Sequence, residues 1–195
     1  EYYAVSWPTS SAPIGNLPAQ HGYFTVLATR PVVTTVQVTV TGDVEAGDGV
    51  PAMAAGTTQT FMLNEGQVLN LEADGANLFS GNLDLTGSHI VADQPVAAFG
   101  GHEEAVVGDG CCAEHLEHQL FPVETWGLRY LAAHSEPRGG STDVWRIVAA
   151  QDATTVQTLP AQADAAQFTL NAGEWREIGA TESFEVTADK PISVA

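Results

Sequence analysis

The chain contains the same short sequence pattern twice, in the same order. The hexapeptide F-M-L-N-E-G at 61–66 returns as F-T-L-N-A-G at 168–173. Two further landmarks flank both hexapeptides: Thr-Thr-Val upstream (34–36 and 154–156) and Ala-Asp-x-Pro downstream (92–95 and 188–191). Three matches in one order are improbable by chance, so the pattern predicts an internal duplication of one supersecondary unit.

The hydropathy pattern within each copy indicates β-strands. Val36, Val38 and Val40 alternate with polar residues, which gives one apolar and one polar face at a period of two. A helical period is rare, although residues 113–119 could form one helical turn. The sequence therefore predicts an all-β fold of two related antiparallel β-sandwich-like units joined by an irregular connector that contains Cys and His.

The repeat also divides the chain into segments. We expect an entering strand and loop at 1–22, a first β unit at 23–100, a connector insert at 101–142 and a second β unit at 143–195. The last residues, Ile192–Ala195, form an apolar run that ends abruptly. This predicts that the second unit is truncated and that more of the same protein follows, with which the last strand could pair at its edge.

The charge balance excludes some partners. Twenty-four acidic residues stand against six basic ones, a formal charge of -18. Nucleic acids and anionic membrane surfaces are recognised by clustered Lys and Arg, so neither is expected as a partner. The sequence contains no run of about 20 apolar residues, the length that a membrane span needs. The acidity suits a solvated surface or a cationic partner, and calcium is a possible ligand.

The connector holds the residues best suited to metal chemistry. Four of the six histidines lie there, and His115 and His118 would share one face of a helical turn at i,i+3 spacing. Together with His102 they form a candidate zinc site, to which Cys111 or Cys112 could add a thiolate. The spacing matches no strong zinc signature. The other interpretation is that these residues are polar connectors held by hydrogen bonds.

The two cysteines, Cys111 and Cys112, are adjacent. They could form a vicinal disulfide, bind a metal or each pair elsewhere. An oxidised pair fits an extracellular setting better than a reducing cytosol.

Two further groups have structural interpretations. Asp93 and Asp189 occupy equivalent repeat positions before a proline, and each is expected to cap backbone N–H groups, with calcium ligation as the alternative. Three tryptophans are expected to pack in a core or between domains rather than to form a ligand platform: Trp126, Trp145 and Trp175.

A family resemblance covers roughly residues 23–195. The motifs that show it are Gly100-Gly101-His102, the segments E-H-L-E-H-Q-L-F-P-V-E-T-W-G at 114–127 and D-V-W-R-I-V-A-A at 143–150, Asp84-Leu85-Thr86-Gly87-Ser88 and Ala92-Asp93-Gln94-Pro95-Val96. With these the chain resembles the IgG Fc-binding protein N-terminal domain family. The resemblance implies a secreted, non-enzymatic module.

The chain departs from the family pattern at its cysteines. Ala113 stands where the family has a cysteine, and Glu103 or Glu104 replaces a cysteine that often follows the Gly-His pair. Cys112 lies one residue before the first of these positions, so the resemblance does not carry the family disulfide over to this chain, and a bond between Cys111 and Cys112 becomes the more plausible pairing.

Taken together, the sequence predicts an extracellular or cell-surface module without enzymatic activity. Its expected role is adhesion, binding or surface assembly, and its expected partners are a protein, a glycan or further copies or segments of the same assembly. No cofactor is firmly expected, although calcium or zinc is possible. The alternative is a metal-dependent hydrolase or metal-binding domain centred on His102, His115 and His118.

Overall fold

A computed structural model describes residues 1–10, 18–75, 83–108, 112–136 and 142–195, and it confirms the all-β prediction. The one helical segment among these residues is a short 3-10 turn, Val123–Thr125. The chain forms two compact units. Unit 1 comprises 1–105 and 113–122, and unit 2 comprises 106–112 and 123–195.

Unit 1 is a sandwich of two antiparallel four-stranded sheets. Its strands are β1 (Tyr2–Tyr3), β2 (Gly22–Ala28), β3 (Thr34–Thr39), β4 (Thr58–Leu63), β5 (Val68–Glu72), β6 (His89–Ala92), β7 (Val96–Ala105) and β8 (Glu114–Gln119). One sheet has the order β1-β6-β3-β4 and the other β5-β2-β7-β8. Alternate residues point inward from both sheets, so that Phe24 and Val26 of β2 share one core with Val36 and Val38 of β3.

Unit 2 has six strands, two fewer than unit 1, and they form one hydrogen-bonded sheet. Its strands are β9 (Gly127–Ala132), β10 (Asp143–Ala149), β11 (Thr154–Leu159), β12 (Gln167–Leu170), β13 (Trp175–Ala180) and β14 (Phe184–Val194). The order is β12-β11-β14-β10-β13, and β9 also pairs with β14. The long strand β14 changes register between Thr187 and Ile192, so its first half pairs with β11 and its second half with β10.

The duplication is preserved in the pairing register. Val36 pairs with Phe61 on one side and Ala92 on the other. The equivalent Val156 pairs with Phe168 and Ala188. The other sheet agrees, because Ala28 pairs with Val96 as Ala149 pairs with Ile192. Both copies therefore use the same cross-strand neighbours, although the loops between them differ in length.

The repeated Asn-x-Gly sequence forms the same turn in both units. Gly66 and Gly173 have φ values of 76° and 75°, a backbone region that favours glycine. Their N–H groups donate to Ala28 and Ala149, each over 2.9 Å. In both turns the Asn N–H donates over 2.7 Å to a side-chain oxygen three residues later. The Asn and Gly that the two hexapeptides share therefore form the same turn in both units.

The capping role expected of the two aspartates is confirmed. Asp93 Oδ1 accepts from the Thr35 N–H, and Asp189 Oδ1 accepts from the Thr155 N–H, each over 2.8 Å. Asp93 caps the start of β3 from the connection between β6 and β7, whereas Asp189 caps the start of β11 from within β14. The Ala-Asp-x-Pro and Thr-Thr-Val landmarks are thus bonded to each other.

The duplication extends further than the sequence landmarks. Tyr2 pairs with Ile90, and Tyr130 pairs with the equivalent Val186. The Tyr2 hydroxyl donates to Val96 O and the Tyr130 hydroxyl to Ile192 O, each over 2.8 Å. Strands β1 and β9 are therefore equivalent, and β8 is the strand of unit 1 that has no counterpart among the described residues of unit 2.

Two of the three tryptophans pack as predicted. Trp126 is 9% exposed, and Trp145 packs edge-to-face on Phe184 against the core of unit 2. Trp175 has a different role, because its ring lies 4.3 Å below the guanidinium carbon of Arg146. That arginine is buried and also donates to Glu177 over 3.1 Å.

Candidate functional site

The Gly100-Gly101-His102 motif lies where the N-terminal segment packs against the rest of unit 1. A Cβ on Gly100 would lie 1.9 Å from the carbonyl oxygen of Val5, and one on Gly22 would lie 1.8 Å from that of Trp7. A Cβ on Gly101 would lie 2.1 Å from Leu116 O. Backbone passes directly over these glycines, and any side chain there would displace it. The motif that carried the family resemblance is structural here.

His102 follows these glycines, also contacts the N-terminal segment, and is fully buried. Its Nε2 lies 3.1 Å from Pro8 O, and its Nδ1 accepts from the Glu104 N–H over 3.0 Å. Because a carbonyl only accepts and an amide only donates, the ring is the neutral Nε2–H tautomer. Burial lowers the pKa of His102, outweighing the Pro8 hydrogen bond and the neighbouring carboxylates of Glu103 and Asp84, which act in the opposite direction.

Residues 114–119 form strand β8, so the predicted helical turn is wrong. In the pairing with β7, His118 lies opposite Gly100 and Leu116 opposite His102. Residues three apart on a strand point to opposite faces, so His115 faces away from His102 and His118. The spacing that would have placed two imidazoles together on a helix separates them on a strand.

His115 lies in a polar cluster on the surface of unit 1. Its Nε2 is 3.4 Å from both the Tyr23 hydroxyl and Glu117 Oε2, and its ring stacks with that of Tyr23. The pKa of Tyr23 is raised by burial first, and then by the charges of Glu117 and Glu103. His118 packs edge-to-face with Phe121 instead. The cluster is exposed and offers hydrogen bonds to a partner.

Across the described part of the chain, no group of three or more His, Cys, Asp or Glu side chains could hold a metal ion. Cys112 is exposed and has a φ of 82°, whereas Cys111 lies outside the described residues. The metal site of His102, His115 and His118 and the disulfide of Cys111 and Cys112 remain predictions.

Unit 1 has a cleft of about 400 Å³ between strands β4 and β5. We call it the β4–β5 cleft. Phe61, Leu63 and Leu69 line it, and the loop at 48–51 forms one wall. A second recess of about 300 Å³ continues along β5 and shares four residues with the first: Asp48, Val50, Val68 and Asn70. The two recesses adjoin at these four residues, and we call them together the channel.

The rim of this channel is apolar and acidic. Met62 is 70% exposed and Val68 58% exposed, although both are large hydrophobic residues. Glu45, Asp48 and Glu72 also line the channel, and neither recess has a Lys or Arg in its lining. Apolar side chains beside carboxylates suit a partner that brings both apolar and cationic groups.

The strand edges beside the channel are open. Strand β4 pairs with β3 alone, and β5 pairs with β2, apart from a bridge between Val44 and Ala73 at its end. Within the described residues, no strand covers the outer side of either one. Such an edge presents unpaired N–H and C=O groups that an extended segment can use.

Sequence reasoning missed this channel, because it placed function in the part of the chain that the repeat does not share. The channel lies inside the first copy, where the loop between β3 and β4 is longer than its equivalent between β11 and β12. That length difference was visible in the spacing of the landmarks and is the signal that could have located it.

Comparisons with known proteins gave one match. A family model described as IgGFc binding protein matches residues 1–195. No curated protein and no solved structure matches the chain. The described residues contain no helix long and apolar enough to span a membrane.

Proposed function

We propose that this chain, which belongs to the IgGFc-binding protein family, is a non-enzymatic module that recognises another protein outside the cell. The family match over residues 1–195 is the observation on which the proposal rests. Its role would be adhesion or assembly at a surface, where it presents sheet edges and exposed apolar side chains to the partner.

Two features of the molecule support a protein as the partner. The open edges of β4 and β5 offer main-chain hydrogen bonds that a polypeptide can accept and return. The exposed Met62 and Val68 offer apolar contacts, which fit side chains better than sugar hydroxyls. The formal charge of -18 favours a basic partner surface.

The experiment compares protein with glycan recognition. The immobilised chain is panned against a display library of random peptides, and the labelled chain is applied to a glycan array. We expect enrichment of related peptides that compete with one another, and no saturable signal from glycans. Saturable glycan binding without any enriched peptide family would contradict the proposal. Heat-unfolded chain is the control for non-specific adsorption.

The family description makes an IgG Fc fragment the first protein to test. Binding of the Fc fragment to the immobilised chain is measured together with binding of the chain to itself. Saturable binding to Fc would name the partner class, and self-association would indicate assembly from copies of the module.

The alternative of a metal-dependent hydrolase centred on His102, His115 and His118 is tested separately. Elemental analysis of protein purified without chelator should find stoichiometric zinc if that site exists. The His115→Ala variant would then lose the metal. Both ring nitrogens of His102 already have backbone partners, so no geometry among the described residues favours this function.

A further inference from the structure

One position that faces the β4–β5 cleft carries a different kind of residue in the two units. Leu69 in β5 pairs with Val26, and Arg176 in β13 pairs with the equivalent Ile147. The side chains of directly paired residues lie on the same face of a sheet. Leu69 and Arg176 are therefore equivalent residues, and both lie on the inner face of an edge strand.

In unit 2, Arg176 fills the opening between the two sheet edges. Its guanidinium carbon lies 5.0 Å from the ring centroid of Phe168, and it donates a hydrogen bond to Asp164 O. Phe168 is only 9% exposed beneath it. A guanidinium stacked on an aromatic face gains cation–π attraction and keeps its N–H groups for the carbonyl.

In unit 1, the same place is open. Phe61 is the equivalent of Phe168, but Leu69 is shorter than arginine and carries no charge. The cleft of about 400 Å³ opens above Phe61 and Leu69, and Phe61 is half-buried. Unit 1 thus has the equivalent aromatic ring, Phe61, but no guanidinium group from this strand to lie over it.

The charges around the cleft match the missing group. Glu45, Asp48 and Glu72 line the channel, and the lining contains no Lys or Arg that would neutralise them. The outer edges of β4 and β5 run beside it, and such edges can pair with an extended chain. A cation supplied from outside would therefore find an aromatic face, nearby carboxylates and unpaired backbone in one place.

We propose that the β4–β5 cleft binds an arginine side chain of an extended segment of the partner protein, with the guanidinium over Phe61 as that of Arg176 lies over Phe168. This inference rests on the proposed protein-recognition function and names the chemistry of the partner. Arginine is favoured over lysine because its planar group stacks on an aromatic ring.

The test uses a capped peptide, acetyl-Thr-Val-Arg-Val-Thr-amide, titrated into the isotope-labelled chain and followed by amide NMR. The control peptide has citrulline, which is neutral and nearly the same shape, in place of arginine. We expect the arginine peptide to shift the amide signals of residues 48–50 and 61–70. The citrulline peptide should bind about threefold to thirtyfold more weakly.

Two variants locate the interaction in the cleft. Leu69→Arg gives unit 1 the residue that closes unit 2, so it should abolish the shifts. Glu45→Gln with Asp48→Asn removes two rim charges without changing the core, and it should weaken binding even if Leu69→Arg folds poorly. Glu182→Gln, on an exposed turn of unit 2, removes one charge that does not line the cleft and should leave binding unchanged.

The outcomes separate this inference from the proposed function. Equal binding of the two peptides, or no shifts in 48–50 and 61–70, would overturn the arginine site. If display-selected peptides then shift signals elsewhere, protein recognition stands and only the location and chemistry are wrong. If neither the designed nor any selected peptide binds, both proposals fail.

Discussion

At the scale of single residues, His102 shows how a side chain that resembles a metal ligand serves the backbone. The ring is fully buried and joins Pro8 of the N-terminal segment to Glu104 of β7. Both bonds need the neutral tautomer, since a proton on Nδ1 would face the Glu104 N–H. Acid should therefore weaken this connection.

We predict that His102 makes unit 1 less stable below neutral pH. Burial lowers the pKa of His102 from its ordinary value of 6.5, so between the folded and unfolded pKa values the unfolded chain binds more protons. The stabilisation is complete above pH 6.5 and falls as the pH drops below it. Urea unfolding at several pH values should show this slope, at most about 1.4 kcal/mol per pH unit for one proton.

The control is His102→Gln, which keeps hydrogen-bonding groups but does not titrate. It should flatten the slope below pH 6.5 relative to the wild-type chain, because the other five histidines are the same in both proteins. An unchanged slope would show that another group is responsible.

At the scale of elements, the two copies show which local interactions the duplication has kept. The Asn-x-Gly turns and the aspartate caps recur with nearly the same distances. The connections between strands were free to change, as the loops at 40–57 and 160–166 show. The caps should therefore contribute similarly in both units.

We predict that Asp93→Ala and Asp189→Ala each destabilise their own unit by about 1 kcal/mol, because each removes one hydrogen bond from a carboxylate to a backbone N–H. Amide hydrogen exchange should accelerate at Thr35 in the first variant and at Thr155 in the second. Asp→Asn at either position keeps an acceptor oxygen and should exchange more slowly than Asp→Ala. If the amide exchange rate of Thr35 is the same in Asp93→Ala as in the wild-type chain, the proposed cap is wrong.

The sequence predicted those elements whose signal was a repeated, period-two pattern. The hairpin around Asn64 and the aspartate caps are examples, because turn chemistry and strand alternation are local. Strand β8 was missed because Leu116 is its one apolar residue, and its pairing with β7 decides its conformation. The equivalence of β1 and β9 was missed because only Tyr-x-Ala is shared by Tyr2–Ala4 and Tyr130–Ala132.

The candidate site was harder to predict than the fold. Metal-ligand residue types in 101–142 drew attention to His115 and His118, but ligation depends on geometry that the strand register removes. The β4–β5 cleft depends on a residue that is absent, because Leu69 stands where unit 2 has Arg176. Such a difference acquires meaning only once the register shows that the two positions are equivalent.

At the scale of the whole molecule, charge is the dominant property. A formal charge of -18 on 195 residues places many carboxylates close together, and their mutual repulsion opposes the compact state. Salt screens charges that lie more than about 10 Å apart at 0.1 M ionic strength. The same repulsion would be relieved by a bound cation.

We predict that raising sodium chloride from about 0.05 to about 0.5 M stabilises the chain by about 1 kcal/mol, or roughly 2–4 °C in Tm. Calcium chloride at matched ionic strength distinguishes screening from a site. A larger rise with calcium, reversed by chelator, would support calcium-stabilised structure. Equal rises would assign the whole effect to screening and leave calcium without a specific role.

The close packing of the N-terminal segment on Gly22 and Gly100 has a practical consequence for anyone who produces this protein. The backbone of Val5 and Trp7 packs directly on the backbone of Gly100 and Gly22, where there is no room for a side chain. Shortened recombinant forms that omit the first ten residues would expose the backbone of these glycines to water and remove the hydrogen bond from the His102 ring to Pro8 O. Affinity tags are accordingly better placed ahead of Glu1 than in exchange for the residues that follow it.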